Sequence, residues 1–415
     1  MRALLTLCIA LAIAPAAQAA APLYSHRLVV GFARDVSTAR GQRAIERDGG
    51  RLLRRLSAVR GAVVEGRGGV ASDVLLRRLR GDSRVRYAEP DFLVKESEQP
   101  NDPLYAQQYA LDQPATAIGD VAAPLAWDRT TQCSKIAVLD SGVDKDHPDL
   151  RPNLWINSGE KSGNGKDDDH NGYADDYYGV NILKGKGSGL DDNGHGTHVA
   201  GIIAAVGDNA AGVSGICWKA SVMSVKFLDS RGRGGTSDAV EAIEYAVHEG
   251  AKIINCSFGT SSKSSALQGA VQFAKDKGAL LVVAAGNDGE NLEQHPAYPA
   301  SFTDGNILTV AASTRTDTLA SFSNYGSKSV DVAAPGDKIL STLRGGGYGD
   351  KSGTSMAAPL VAGAAAMLRK ADSSATYGEL RTALRQHVDK PPALNGKVLY
   401  GGRMNARLAL DAITR

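Results

Sequence analysis

The sequence predicts an α/β protein built on a doubly wound parallel sheet and preceded by a small α+β domain. Three observations carry that expectation. Short apolar runs at residues 136–139, 222–225, 253–256, 280–284 and 307–311 lack polar alternation, as strands covered on both faces do. Segments of helical periodicity alternate with them, at 195–205, 237–249, 264–277 and 355–369. Residues 22–98 also stand apart in charge: they carry a net +6, mostly as arginine, against −5 over residues 99–415.

Taken in order, the chain begins with Met1-Arg2, an apolar run over residues 3–14 and the small-x-small triplet Ala17-Gln18-Ala19. That pattern predicts a signal peptide over 1–19 and a secreted product, extracellular or periplasmic. The run is shorter than the roughly 20 residues a membrane span needs. Residues 28–32 read as a strand, 39–48 and 72–79 as helices, and 85–91 as a closing strand. The polar stretch 95–101 reads as an exposed, cleavable linker. These elements set residues 20–98 apart from a main domain over 99–415. Within the latter, the Gly/Asp-rich stretch 158–189 reads as a long surface insertion and 405–414 as a last amphipathic helix. The overall charge of +2 gives no reason to expect a nucleic-acid partner, and no later apolar run is long enough to span a membrane.

Three short segments hold the chemistry: Val138-Leu139-Asp140-Ser141-Gly142, Asn193-Gly194-His195-Gly196-Thr197-His198, and Gly353-Thr354-Ser355-Met356-Ala357. An acid, an imidazole and a hydroxyl each sit among small residues, where backbone can approach a reacting group closely. Asp140 ends an apolar strand, and so falls at the carboxyl edge of the sheet, where open α/β proteins build sites. There it can accept a hydrogen bond from one nitrogen of His195, whose other nitrogen takes the proton of Ser355. Ser355 opens an Ala-rich helix whose first amides favour a developing negative charge.

Together these segments resemble the subtilisin-like serine peptidases (the subtilase family), in its thermitase-like branch. The order Asp, His, Ser is one of the few in which such a triad is strung along a chain. The resemblance implies a subtilisin-like fold and a serine endopeptidase working through an acyl-enzyme on Ser355. It makes His195, rather than His198, the base, and leaves His198 as a packed, hydrogen-bonded residue. Ala284-Ala285-Gly286-Asn287 matches the segment carrying the oxyanion-hole asparagine, here Asn287. Ser257-Phe258-Gly259 and Gly286 match the segments that pair with substrate and line the first specificity pocket, and Gly232-Arg233-Gly234 matches the opposite edge. The unit over 20–98, ending Tyr87-Ala88-Glu89-Pro90-Asp91, resembles the inhibitory propeptide, so the chain's own propeptide is an expected partner, as chaperone and inhibitor. Protein or peptide substrates are the others, and a monomer is expected.

The same resemblance implies calcium (Ca2+). Asp102, Asp149 and Asn209 side chains, with the carbonyls of Val206, Ala211 and Val213, match the ligands of one site, an oxygen-only set that suits the ion. A second candidate is the acidic loop bearing Asp167, Asp169, Asn171, Tyr173 and Asp175, which opens like an EF-hand loop but has Tyr178 where the closing glutamate belongs. Cys8 leaves with the signal peptide. Cys133 and Cys217 precede two strands that are neighbours in the subtilase sheet, so the resemblance pairs them as a disulfide, and Cys256 reads as a small buried residue. Two rival readings stand beside the peptidase. One is a peptide ligase or cyclase on the same fold; the other is a non-catalytic binding protein, against which the intact Asp140, His195, Ser355 and Asn287 set argues.

Overall fold

The computed structural model describes residues 23–92, 99–112 and 119–414 of the 415-residue chain. The expected signal peptide and residues 95–98 of the linker lie outside them. The chain divides into two compact units, Met1–Glu96 and Ser97–Arg415.

In the first unit, β1 (Leu23–Phe32), α1 (Thr38–Arg47), β2 (Gly50–Leu56), β3 (Gly61–Gly66), α2 (Ser72–Arg80) and β4 (Val85–Phe92) form an antiparallel sheet in the order β2-β3-β1-β4, with two helices. Alternate residues of β1, Leu28, Val30 and Phe32, are buried against Ile45 of α1 and Leu75 and Leu79 of α2. Ser37 starts α1 by accepting the Arg40 amide at 3.4 Å. The sequence reading found β1, β4 and both helices but not β2 or β3. A register shift between Leu52 and Arg54 and the run Arg54-Arg55 hide the period of β2.

The second unit opens with α3 (Ala123–Trp127), β5 (Gln132–Asp140), β6 (Val180–Asn181) and α4 (His195–Ala204). Then β7 (Lys219–Lys226), α5 (Thr236–His248), β8 (Ile253–Cys256), α6 (Ser265–Asp276) and β9 (Leu280–Ala284) alternate strand and helix, and β10 (Ile307–Ser313) and β11 (Val332–Pro335) follow without a helix between them. A separate hairpin, β12 (Ile339–Leu343) with β13 (Gly347–Lys351), precedes α7 (Thr354–Ala371) and α8 (Tyr377–Gln386). The chain closes on β14 (Val388–Asp389), β15 (Arg403–Met404) and α9 (Ala406–Ile413). The main sheet runs β14-β15-β11-β10-β9-β8-β5-β7-β6, parallel except for the β14–β15 pair.

The apolar runs make sense on this sheet. Ile136 and Val138 of β5 join a core with α4, α7 and α9 on one face. Ala137 and Leu139 join a second core with α5 and α6 on the other. With both faces covered, every position of a strand must be apolar, and alternation disappears. Residues 356–368 of α7 are buried along their whole length. Only small side chains let a helix lie that close to the sheet, which is why this one reads Ala-rich.

Cys133 and Cys217 are joined by a disulfide, Cα atoms 5.8 Å apart and 84 residues apart in sequence. It ties the start of β5 to the turn before β7. A cross-link over that length restricts the unfolded chain by about 4–5 kcal/mol. The Cys133→Ser/Cys217→Ser protein should therefore lose about that much in denaturant unfolding while keeping its fold. A loss under about 1 kcal/mol would contradict this account. Cys256 is a free, fully buried thiol, and burial pushes its ionisation up. Among the described residues, no helix is long and apolar enough to cross a membrane.

Candidate active site

The parallel strands end along one edge, and the chemistry-bearing residues sit there. Asp140 is the last residue of β5 and is fully buried, while His195 is the first residue of α4. The His195 Nδ1 lies 2.8 Å and 2.9 Å from the two Asp140 carboxylate oxygens. Gly196 permits this approach, since a Cβ there would fall 2.1 Å from the Gly142 carbonyl oxygen. The negative charge of Asp140 holds the imidazole above its ordinary range, working against burial, which lowers it.

Two side chains absent from the sequence reading fix this pair. The Oδ1 of Asp191 accepts the Ser141 hydroxyl at 2.9 Å and the amides of Asn193 and Gly194 at 2.9 Å and 2.8 Å. Its Oδ2 accepts the amide and hydroxyl of Thr197. One carboxylate thus locks the residue after Asp140 to the turn that carries His195. Lys226, at the end of β7 and nearly fully buried, donates to the Ser141 carbonyl at 2.8 Å, the Leu228 carbonyl at 2.7 Å and Asp192 at 2.6 Å. A buried ammonium with every hydrogen engaged is the arrangement such a charge requires. The only sequence signal for Asp191 was a carboxylate just ahead of a helix, which ordinarily denotes a cap.

Ser355 lies in the first turn of α7. Its hydroxyl donates to the Ser257 carbonyl at 3.3 Å rather than to the imidazole. Its amide belongs to the turn whose donors a helix leaves without internal partners. Asn287 comes just after β9 and turns its Oδ1 to the Thr354 amide at 2.8 Å and hydroxyl at 3.0 Å. Its Nδ2 has no acceptor among the described residues, and the residue lines the cavity that Ser355 lines. Gly286 is required in front of it: φ is +104°, and a Cβ would meet the Asn324 Nδ2 at 2.4 Å. Asn324, itself buried and also missed in the sequence, accepts the amides of Asp288 and Glu290 at 3.0 Å and 2.9 Å.

His198 is buried, with Nε2 3.0 Å from the Gly349 carbonyl, and burial pushes its pKa down to about 4. Two cavities share the wall Ser257-Phe258-Gly259-Thr260. One, of about 570 Å3, contains Ser355, Asn287 and Gly286; the other, of about 490 Å3, contains His195, Gly232, Arg233 and Gly234.

The expected first cation ligands also converge. Asp102 and Asp149 are buried, and burial raises both carboxyls above their ordinary range, helped by the charge of Asp208 at the first and of Asp102 at the second. Asn209 donates to Asp149 at 2.7 Å, and Asp102 accepts the amides of Asp208 and Asn209. The carbonyl oxygens of Val206, Ala211 and Val213 accept no hydrogen bond from the described residues. Two buried carboxylates held to one loop, together with three carbonyls of that loop that accept no hydrogen bond from the described residues, are oxygen donors of the kind a cation would satisfy.

The second candidate loop is arranged differently from the expected set. Asp175 accepts the amides of Gly163, Asn164 and Gly165, and Asp167 accepts those of Asn171 and Gly172. Asn171 Oδ1 accepts the Tyr173 amide. The carboxylates that approach one another are Glu160, Asp169 and Asp176, with ligand atoms within 4.8 Å. Asn157, Asn171 and Tyr245 donate to that group, and amides of the loop donate to Glu160.

Comparison with known proteins gives the family. A model described as the subtilase family matches residues 132–401, and one described as the fervidolysin N-terminal prodomain matches residues 12–91. The chain is 38% identical over 337 residues to the "Thermophilic serine proteinase" of Bacillus sp. (strain AK1), covering 80% of this chain and 75% of that one. It is 38% identical over 316 residues to "Thermitase" of Thermoactinomyces vulgaris, covering 75% and 99%. Among solved structures, a protease from Pseudoalteromonas arctica PAMC 21717 matches with TM-score 0.64 and 31% identity, over 76% of this chain and 100% of that one.

Proposed function

Because this chain belongs to the subtilase family and is a serine endopeptidase with an N-terminal prodomain, we propose that Asp140, His195, Ser355 and Asn287 are the residues that cut the peptide bond. The observation that carries this reading is the paired contact of His195 Nδ1 with both Asp140 oxygens, beside a cavity lined by Ser355 and Asn287. Asp140 accepts a hydrogen bond from Nδ1–H, which leaves the lone pair on Nε2. Turning the Ser355 hydroxyl from Ser257 to Nε2 delivers its proton to the ring as Oγ attacks the substrate carbonyl. Charge then develops on the carbonyl oxygen, where Asn287 Nδ2 and the Ser355 amide can donate to it. The imidazolium passes its proton to the leaving amine, and water attacking the ester returns Ser355.

Labelling with a fluorophosphonate tests the reading: one adduct on Ser355 and loss of casein digestion are expected. Product masses that show joined rather than hydrolysed peptides would favour the ligase instead. The base must be neutral to accept a proton, so activity disappears as pH falls through the pKa of His195. Since Asp140 raises that pKa, kcat/KM should have an acid limb with its midpoint above pH about 6.5, falling about tenfold per unit below it. A midpoint below that value would contradict the charge pairing.

For the unit before Ser97 we propose an autoprocessed inhibitory propeptide spanning residues 20–98, preceded by a signal peptide that exports the enzyme. Its net positive charge against the negative charge of residues 99–415 supports electrostatic steering between them. We also assign calcium to Asp102, Asp149, Asn209 and the carbonyls of Val206, Ala211 and Val213; bound there, the ion would neutralise two buried charges and fix the loop 206–213. Calcium at about a thousand times its Kd should raise unfolding stability by about 4 kcal/mol. Asp149→Asn should lower stability in calcium and raise it in chelator, because removing one charge relieves the repulsion. The same sign of effect in both buffers would sink the assignment.

A further inference from the structure

The cavity beside Ser355 combines an apolar stretch of wall with polar groups, and two acids stand among them. Phe258, Ala284, Ala285 and Ala300 form that stretch of wall, while Asp288 and Glu290 are exposed on the lining. Among the described residues no lysine or arginine lines it, and the cation-forming neighbour of these carboxylates is His295, 4.0 Å from Glu290. The acids are not on a loose loop. Asn324 holds it by accepting the amides of both residues and donating to the Ala285 carbonyl at 3.1 Å and to Asp288 at 3.4 Å. A long side chain entering here can lie along Phe258 and the alanines and end beside negative charge. Lysine and arginine have that construction, a hydrocarbon stem and a cationic tip.

We infer that Asp288 and Glu290 are specificity-determining residues that direct cleavage to the bond after lysine or arginine. This rests on the peptidase reading above, which places the substrate carbonyl between Ser355 and Asn287, and hence the side chain of that residue in this cavity. The neighbouring cavity is lined by Phe227, Leu228, Ala239 and Leu267 and offers an apolar seat upstream. The sequence joining the two units supplies a bond that fits both: Phe92-Leu93-Val94-Lys95 places a large apolar residue three positions before a lysine. Lys95 is the one lysine or arginine between Arg86 and Arg129. The same selectivity directs processing to the Lys95–Glu96 bond.

The two carboxylates are exposed, so each contributes a modest, salt-sensitive attraction of up to about fivefold. The test uses the processed enzyme with two p-nitroanilides, Phe-Leu-Val-Lys and Phe-Leu-Val-Leu, at low salt. The expected result is a higher kcat/KM for the lysine peptide. In Asp288→Asn/Glu290→Gln the lysine-to-leucine ratio should fall about tenfold, while the leucine peptide is still hydrolysed. High salt should compress the ratio in the parent enzyme. Preference for leucine, or a ratio untouched by the double substitution, would overturn the inference alone. Hydrolysis of neither peptide together with no fluorophosphonate adduct would overturn the peptidase roles themselves, and the inference with them.

Discussion

Ser355→Ala should lower kcat for peptide hydrolysis by about 10⁶ and leave a folded chain that no longer separates its two units. The size of the effect comes from chemistry rather than packing. The substitution removes one hydroxyl whose protein contact is a 3.3 Å bond to the Ser257 carbonyl, at a helix start where alanine is well accommodated. Stability should change by less than about 1 kcal/mol, within what a single hydrogen bond contributes. Attack on the carbonyl, by contrast, loses its nucleophile entirely. His195 and Asp140 then have no proton to move, and what is left is the binding cavity and the oxyanion donors, a residual of about 10³–10⁴ over water. The full-length chain should accumulate during expression, since processing uses the same hydroxyl. His195→Ala should give almost the same loss, and the double variant little more, because residues that act as one relay do not contribute additively. Parent-like hydrolysis by Ser355→Ala would mean that another group is the nucleophile. An additive double variant would mean that the two residues work independently.

How far the sequence revealed this site depends on the range over which each signal acts. Asp140 was legible because a buried strand is uniformly apolar and the charge that ends it stands out. Ser355 was legible because an Ala-rich helix is a close-packed helix, and a hydroxyl at its start has a dipole behind it. Asp191, Lys226 and Asn324 were not legible. Most of their partners are main-chain amides and carbonyls, joined by the hydroxyls of Ser141 and Thr197 and the carboxylates of Asp192 and Asp288, and the tertiary fold fixes these meetings, so local spacing does not announce them. Lys226 even reads against its environment, a charged residue closing a strand whose last five positions are buried. The strands β11, β14 and β15 are four, two and two residues long, too short to show a period. In the acidic loop, spacing pointed to Asp167 and Asp175, whereas the chain bends so that Glu160 and Asp176 approach Asp169 instead. There the backbone competes for carboxylates through Asx-type turns, and a sequence pattern does not show which oxygens those turns will use.

The second large effect concerns Asn287, whose side chain has two ends with separable roles. Its oxygen is committed to Thr354, accepting both the amide and the hydroxyl, and the Thr354 hydroxyl in turn accepts the Gly286 amide at 3.1 Å. This clamp joins the end of β9 to the start of α7 and fixes the side chain on the cavity it shares with Ser355. An amide held in that way costs no reorganisation when charge appears on the substrate oxygen. Asn287→Ala should therefore lower kcat by about 10²–10³ while KM changes by less than about threefold, because the donor meets an oxyanion that exists only after attack. Thr354→Val removes the hydroxyl of the clamp but keeps the amide bond to Oδ1. It should cost about tenfold, through a less well-aimed donor. The contrast separates the two roles. A purely structural Asn287 would make both variants lose stability together and raise KM, with kcat falling in proportion to the unfolded fraction. An oxyanion donor instead leaves Asn287→Ala folded, able to bind substrate and slow to react. Active-site titration beside steady-state rates distinguishes these outcomes, since it counts competent sites independently of how fast they turn over.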